Sequence, residues 1–228
     1  LALQQGDVDM VWSYSTGVAG TYQDVLAGDE NVTLINVAAA NAPAVLAFNN
    51  AKGLFVDENL RQAVSYALDY DAFKTYFGSA YAQIPNRGFV PETTVGYKQT
   101  GKLTTDQAKA AEYMAAAGYS EKNANGFYVN GDGQIAFFTL TVNAAKEAHV
   151  GYAEMIKNQL EQFGIQVNLD TVDKDSYNAK TSNKFSENNI TMEAAIYGYT
   201  AAGMGMGNGL GSIYVDGGHA VQGGCQVF

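Results

Sequence analysis

The chain has 228 residues, 47% of them hydrophobic, a net charge of −10 and a pI of about 4.5. That length holds one large α/β domain or two small ones. Arginine occurs only at Arg61 and Arg87, and so acidic a balance argues against a nucleic-acid surface, which needs clustered Lys and Arg, and disfavours charge-driven binding to anionic lipid.

Residues 1–6 read as the last turn of a helix stopped by Gly6, as in a piece cut from a longer chain. They carry neither the basic start nor the apolar core of a signal peptide, and no apolar run in the chain is long enough to span a bilayer. Asp7 to Trp12 alternates and predicts a short strand. A short helix is expected at Tyr22 to Leu26. Val32 to Val37 and Ala44 to Phe48 read as strands, with Asn41-Ala42-Pro43 between them. Asp57 suits the N-cap of a helix through Leu68, whose apolar face is Leu60, Val64, Ala67 and Leu68. Asp69 or Asp71 caps a shorter helix reaching Phe77, ended by Gly78. Residues 79–103 hold Pro85 and Pro91 and read as an extended surface loop. Thr104 or Thr105 caps a helix through Ala117, with Gly118 as its stop. Asn130-Gly131-Asp132-Gly133, between Phe127–Val129 and the apolar run Ile135 to Val142, predicts a β-hairpin.

The most informative stretch is Lys146 to Val172. Ala153, Ile156, Leu160 and Phe163 recur at spacings of three and four, which places them on one helical face. Gly164 stands where a left-handed residue ends the helix. Ile165, Val167 and Leu169 then alternate with Gln166, Asn168 and Asp170, a strand with one buried face. A helix feeding a strand in this way predicts an α/β unit whose helix packs on the sheet it enters. Asp175 to Thr181 reads as a short helix and Met192 to Tyr197 as a buried strand. From Gly198 the chain turns glycine-rich and little regular structure is expected.

Candidate chemistry is sparse. The run Gly203-Met204-Gly205-Met206-Gly207-Asn208-Gly209-Leu210-Gly211 lacks G-x-G-x-x-G spacing, because Asn208, Leu210 and Ser212 stand where the third glycine belongs, and no Gly-Lys-Ser/Thr follows. It reads as a loop or the wall of a ligand cleft rather than a phosphate cradle. His149 and His219 are far apart and Cys225 is the single cysteine, so no metal-ligand spacing, cofactor motif or intrachain disulfide is expected. His149 reads as a helix-surface residue. No G-x-S-x-G elbow occurs, and the carboxylates sit at helix starts and strand ends as caps; an enzyme is not predicted. The fifteen tyrosines and single tryptophan are the richer signal, since Tyr and Trp suit the walls of a cleft. Trp12 and Tyr14 follow the first predicted strand, and Tyr197 and Tyr199 end the last, where open α/β sheets place ligands. For Tyr197 core packing is the competing reading.

Five stretches, in order, together resemble one family. Leu3-Gln4-Gln5-Gly6-Asp7-Val8-Asp9-Met10 is similar to an ALQxGEVD turn. Ala47-Phe48-Asn49 with Leu60-Arg61-Gln62-Ala63-Val64-Ser65-Tyr66-Ala67-Leu68-Asp69 is similar to FN…VRQAISYAID. Asp106 to Ala110, ending in Ala117-Gly118-Tyr119, resembles DxxKAKxLLxEAGY. Gly126-Phe127-Tyr128 with Asn130-Gly131-Asp132-Gly133 resembles DGxxxKDGKPL. Ile156 to Leu169 resembles IQxxLxxIGIxV. The chain thus resembles the extracellular solute-binding proteins of the oligopeptide/dipeptide/nickel class, the binding components of ABC importers.

The resemblance implies an α/β lobe of the type II periplasmic-binding-protein kind, with a mixed sheet flanked by helices. It implies that residues 1–228 are a single lobe, largely the second, excised from a two-lobed protein that closes on its ligand by hinge bending. The implied partners are a peptide or related small solute, an ABC permease in the membrane and the missing first lobe, with no nucleic acid. Export follows, to the cell surface through a lipid anchor or to the periplasm. The expected cleft residues are Trp12, Tyr14, Tyr199, Gly203, Gly205, Gly207 and Asn208. The sequence departs from the family after the last strand: the Trp and Asp of GWxxDYxDPxxFL are replaced by Tyr199-Thr200-Ala201-Ala202 and the glycine run, and no acid follows until Asp216. The ligand is therefore left open between peptide, nickel complex and sugar. A surface receptor or protein-interaction lobe without a transport role is the alternative.

Overall fold

The structure is a computed structural model that describes residues 2–11, 18, 20–35, 41–78, 82–85, 97–181 and 190–200. Helices α1 (Ala2–Gln5) and α2 (Gly20–Ala27) come first, then strand β1 (Asn41–Phe48) and a 3-10 turn (Gly53–Val56). Helices α3 (Glu58–Ala67), α4 (Tyr70–Gly78) and α5 (Gln107–Ala116) follow. A small antiparallel pair, β2 (Glu121–Lys122) and β3 (Tyr128–Val129), leads into β4 (Phe137–Asn143), α6 (Glu147–Phe163), β5 (Gln166–Val172), α7 (Lys174–Thr181) and β6 (Ala194–Thr200).

The main sheet has the order β1-β6-β4-β5. Strands β4, β5 and β6 are parallel, and β1 runs antiparallel to β6. Helix α6 is the crossover between β4 and β5, the connection that a parallel pair requires. Pro43 sits in edge strand β1 at the register shift between Ala42 and Val45, where its missing N–H costs no central ladder bond.

Alternation divides the sheet's two faces. Phe138, Leu140 and Val142 of β4, Val167 of β5, Ile196 of β6 and Leu46 and Phe48 of β1 join one core with Phe55, Leu60, Val64, Ile156, Leu160 and Phe163. Phe48 stacks on Phe55 at 4.1 Å, and Phe55 meets Phe138 edge-on at 4.7 Å. On the other face Ala195 packs with Tyr177 of α7 and Met192. The stripe Ala153, Ile156, Leu160 and Phe163 is buried as expected, and Gly164 takes φ +119° with its N–H on Leu160 O at 2.8 Å. His149 corrects its surface reading: it is 6% exposed, because it lies four residues before Ala153 on the same stripe.

Caps follow the predicted logic with one substitution. Asp57 Oδ1 accepts from Asn59 N at 2.7 Å, and Asp69, not Asp71, caps α4 through Ala72 N. Helix α5 is capped by Asp106, which accepts from Lys109 N at 2.9 Å, rather than by Thr104 or Thr105. The reason is tertiary. Thr105 Oγ1 donates to Leu68 O, Asp106 N to Tyr66 O and Gln107 Nε2 to Ala67 O, each at 2.8 Å. Three carbonyls left open at the end of α3 are satisfied by the segment that starts α5.

Two strand expectations fail among the described residues. Residues 7–11 and 32–35 form no ladder, since alternation makes a strand only where a partner is available. Met10, Val11 and Ile35 are 76%, 59% and 83% exposed. The expected short helix is α2, the predicted hairpin forms as Val129 bridges Ile135, and the last strand runs to Thr200, three residues past its predicted end.

Candidate functional site

The carboxyl edge of the sheet is built by β4, β5 and β6, which all end on the same side. Strand β6 pairs with β4 at Leu140↔Ala194 and Thr141↔Ala195, so at that offset Asn143 stands level with Tyr197. Beyond it Gly198, Tyr199 and Thr200 continue with β1 alone, through Ala42↔Tyr199 and Asn41↔Thr200. A two-stranded ribbon therefore leaves the sheet at its carboxyl edge. Tyr199 is placed there by its backbone; its side chain lies outside the described residues, as do Trp12, Tyr14, Gly203, Gly205, Gly207, Asn208 and His219.

Tyr197 resolves toward packing. Its hydroxyl donates to Thr181 O at 2.9 Å, and its ring meets Tyr177 edge-on at 5.9 Å. Tyr177 in turn donates to Ile196 O at 2.6 Å. The pair ties α7 to β6 and holds the base of the ribbon.

Helices α6 and α7 both start at this edge, and their first turns differ. Asp173 caps α7: its carboxylate accepts from Asp175 N, Ser176 N and Ser176 Oγ at 2.9, 3.0 and 2.6 Å. These bonds, led by that from Ser176 Oγ, hold its pKa below the usual aspartate value. Helix α6 has Lys146 at its N-cap and no side-chain cap. Asn143, 6% exposed, accepts from Ala145 N through Oδ1 at 2.9 Å, which lays its amide against the loop entering α6.

Other polar groups serve the scaffold. Asp170 pairs with Lys180 at 2.6 Å and accepts from Thr141 Oγ1 at 3.3 Å, joining β5, α7 and β4. Arg61 donates to Phe55 O at 2.7 Å and Val56 O at 3.3 Å, so its guanidinium serves the turn before α3. Two open depressions lie elsewhere. One of about 450 Å³ is lined by Leu54, Val56, Asp57, Leu60 and Tyr119 at the amino end of α3, where burial and then Asp57 push the Tyr119 hydroxyl up. The other, of about 460 Å³, is lined by residues between Gln4 and Asn31.

The description "Bacterial extracellular solute-binding proteins, family 5 Middle" matches residues 1–217. The chain belongs to that family. This family 5 chain is 25% identical over 133 residues to the oligopeptide-binding protein AppA of Bacillus subtilis, covering 56% of the chain and 24% of AppA. It spans about a quarter of the length of the curated relatives it matches. Among solved structures, a nickel ABC transporter protein of Bacillus halodurans superposes with TM-score 0.74 at 19% identity, covering 95% of this chain and 42% of that one. Bacillus subtilis AppA, solved with a nonapeptide, superposes with TM-score 0.67 at 21% identity, covering 87% and 38%. These likenesses establish the fold as that of type II periplasmic binding proteins, in agreement with the mixed sheet and flanking helices.

Proposed function

We propose that this chain is the ligand-closing part of the substrate-binding component of an ABC importer, one lobe of a two-lobed protein that captures a peptide or related small solute for uptake. The observation that carries the reading is the family match over residues 1–217, joined to a sheet whose carboxyl edge is extended by the β1–β6 ribbon. A ribbon of two antiparallel strands is a fitting connection to a second lobe, because bending it disturbs few side-chain contacts. The exposed Met10, Val11 and Ile35 are then surface covered by the rest of the polypeptide. No bond is made or broken in this role. The full protein is exported in this reading, to the cell surface through a lipid anchor or to the periplasm.

In this reading Trp12, Tyr14, Tyr199 and the Gly203–Gly211 stretch line the cleft. Affinity belongs to the closed state, so the lobe alone binds weakly. Labelled-peptide titration of the full-length protein tests this. Trp12→Ala and Tyr199→Ala should each weaken binding about tenfold, the effect of losing an aromatic contact worth more than 1 kcal/mol. Unchanged affinity in both variants would remove these residues from the site.

A further inference from the structure

Strand β5 is an edge of the main sheet, because the order β1-β6-β4-β5 gives it a partner on one side alone. Gln166 N donates to Ala136 O at 2.9 Å and Ala144 N to Val172 O at 2.8 Å, so the even-numbered residues of β5 turn their backbone groups toward β4. Alternation then aims the N–H and C=O of Val167, Leu169 and Thr171 away from the sheet. Such a row is a template on which another strand can pair.

The first of these residues is covered. Lys157, on α6, donates from Nζ to Val167 O at 2.7 Å. The same ammonium is held by Glu161 Oε1 at 2.6 Å, and that oxygen stands 3.5 Å from Val167 N. One ion pair therefore lies over both the carbonyl and the N–H that Val167 turns outward. The two side chains are only 34% and 29% exposed, so the pair rests against the edge rather than reaching into water. Their spacing of four places both on one side of α6, and the turn at Gly164 brings Val167 back to them.

An ion pair that served the helix alone would need no partner on the next strand. Beyond Val167 the edge changes character. Among the described residues, the outward groups of Leu169 and Thr171 have no hydrogen-bond partner, and Thr171 is exposed. Covering Val167 shortens the free edge from Val167–Thr171 to Leu169–Thr171, close to the lower length limit of ordinary strands. A charged side chain, lysine above all, is also the group that most opposes pairing, since an incoming strand must separate the ammonium from its partners.

We propose that the Lys157–Glu161 pair is an edge guard: it closes β5 against strand addition, and the strand it excludes is β5 of a second copy of this chain. A second β5 presents the same open groups at Leu169 and Thr171, and two such edges can pair antiparallel about a twofold axis. The guard acts whichever solute the protein carries.

Sedimentation velocity of the full-length protein over a range of concentrations tests this. The parent should remain a monomer. Lys157→Met keeps the aliphatic stem and removes the ammonium. Its self-association should be tighter than the parent's by about ten- to a hundredfold, the value of a hydrogen bond to a charged group that an incoming strand no longer has to displace. Charge repulsion predicts the reverse, because the substitution makes a chain already at −10 one unit more negative. Lys180→Met is the matched control. It makes the same charge change and breaks the 2.6 Å pair with Asp170, but the Asp170 backbone faces β4, so no edge group is uncovered; it should behave as the parent. Adding Thr171→Pro to Lys157→Met should restore the monomer, since a proline at an outward N–H removes no bond to β4. Hydrogen exchange at the Leu169 and Thr171 amides should slow when Lys157→Met associates. If Lys157→Met loses its native circular dichroism, Glu161→Gln replaces it, because it frees the ammonium from its anchor and should raise association in the same direction. A folded variant of either kind that associates no more than the parent overturns the guard. So does equal association by Lys180→Met, association that Thr171→Pro does not relieve, association without slowed exchange at Leu169 and Thr171, or a parent that already pairs through β5.

Discussion

Replacing Gly164 with alanine should be among the most damaging single-methyl changes available to the fold. Gly164 ends α6 at φ +119°, and a Cβ built there would lie 2.8 Å from Gly126 O, 3.0 Å from Lys122 Cε and 3.0 Å from Tyr128 Cδ2. Two costs combine. An L-residue in left-handed backbone costs about 1–2 kcal/mol, and forcing a methyl into a filled site costs about 1–3 kcal/mol. The sum is about 2–5 kcal/mol, a large share of the roughly 5–15 kcal/mol that holds a typical domain together. The contact cannot be relieved cheaply. Lys122 is held by its Nζ on Phe163 O at 2.6 Å and lies over the Tyr128 ring, and Tyr128 N donates to Gly164 O at 2.8 Å. Gly118 supplies the control: its φ is +85° with no atom within 4 Å of a built Cβ, so Gly118→Ala carries the backbone cost alone, about 1–2 kcal/mol. Urea unfolding of the full-length variants, followed by circular dichroism, reads both. Equal destabilisation by the two substitutions would refute the crowding argument, and a Gly164→Ala cost below about 1 kcal/mol would refute both terms.

Gln107→Ala should cost about 1 kcal/mol by leaving the Ala67 carbonyl at the end of α3 without its 2.8 Å donor, and Thr105→Val should act similarly through Leu68 O; thermal melts of each variant check this, and unaltered melting in both would show that water replaces these donors without cost. Asp173 carries a pH signature. Its pKa is depressed in the fold by Ser176 and Asp175, so its stabilisation is present above the ordinary aspartate value of 3.8 and is lost as pH falls through the lower folded value. Asp173→Asn should therefore be less stable than the parent near neutrality, with the gap closing in acid; a gap independent of pH would show that the charge plays no part.

The helix α6, its glycine stop and strand β5 were legible in the sequence, because their apolar periods and the left-handed stop are set within a few residues of each position. The hairpin at Asn130–Gly133 and the cap at Asp57 were legible for the same local reason, and the cap of α4 was narrowed to Asp69 or Asp71. Family resemblance extended that reading to the fold, since five local motifs occur in order. What depends on residues far apart in the chain was decided only by tertiary structure. Thr105 lost its expected role as a cap because the end of α3, more than thirty residues earlier, needed its hydroxyl. The strands expected near Met10 and Ile35 lack partners among the described residues, and alternation cannot supply one. His149 is buried because the α6 stripe extends one turn beyond the residues that advertised it. The carboxyl edge is a tertiary product too: Asn143, Asp173 and Tyr199 belong to three different stretches, and only the order β1-β6-β4-β5 sets their strands side by side.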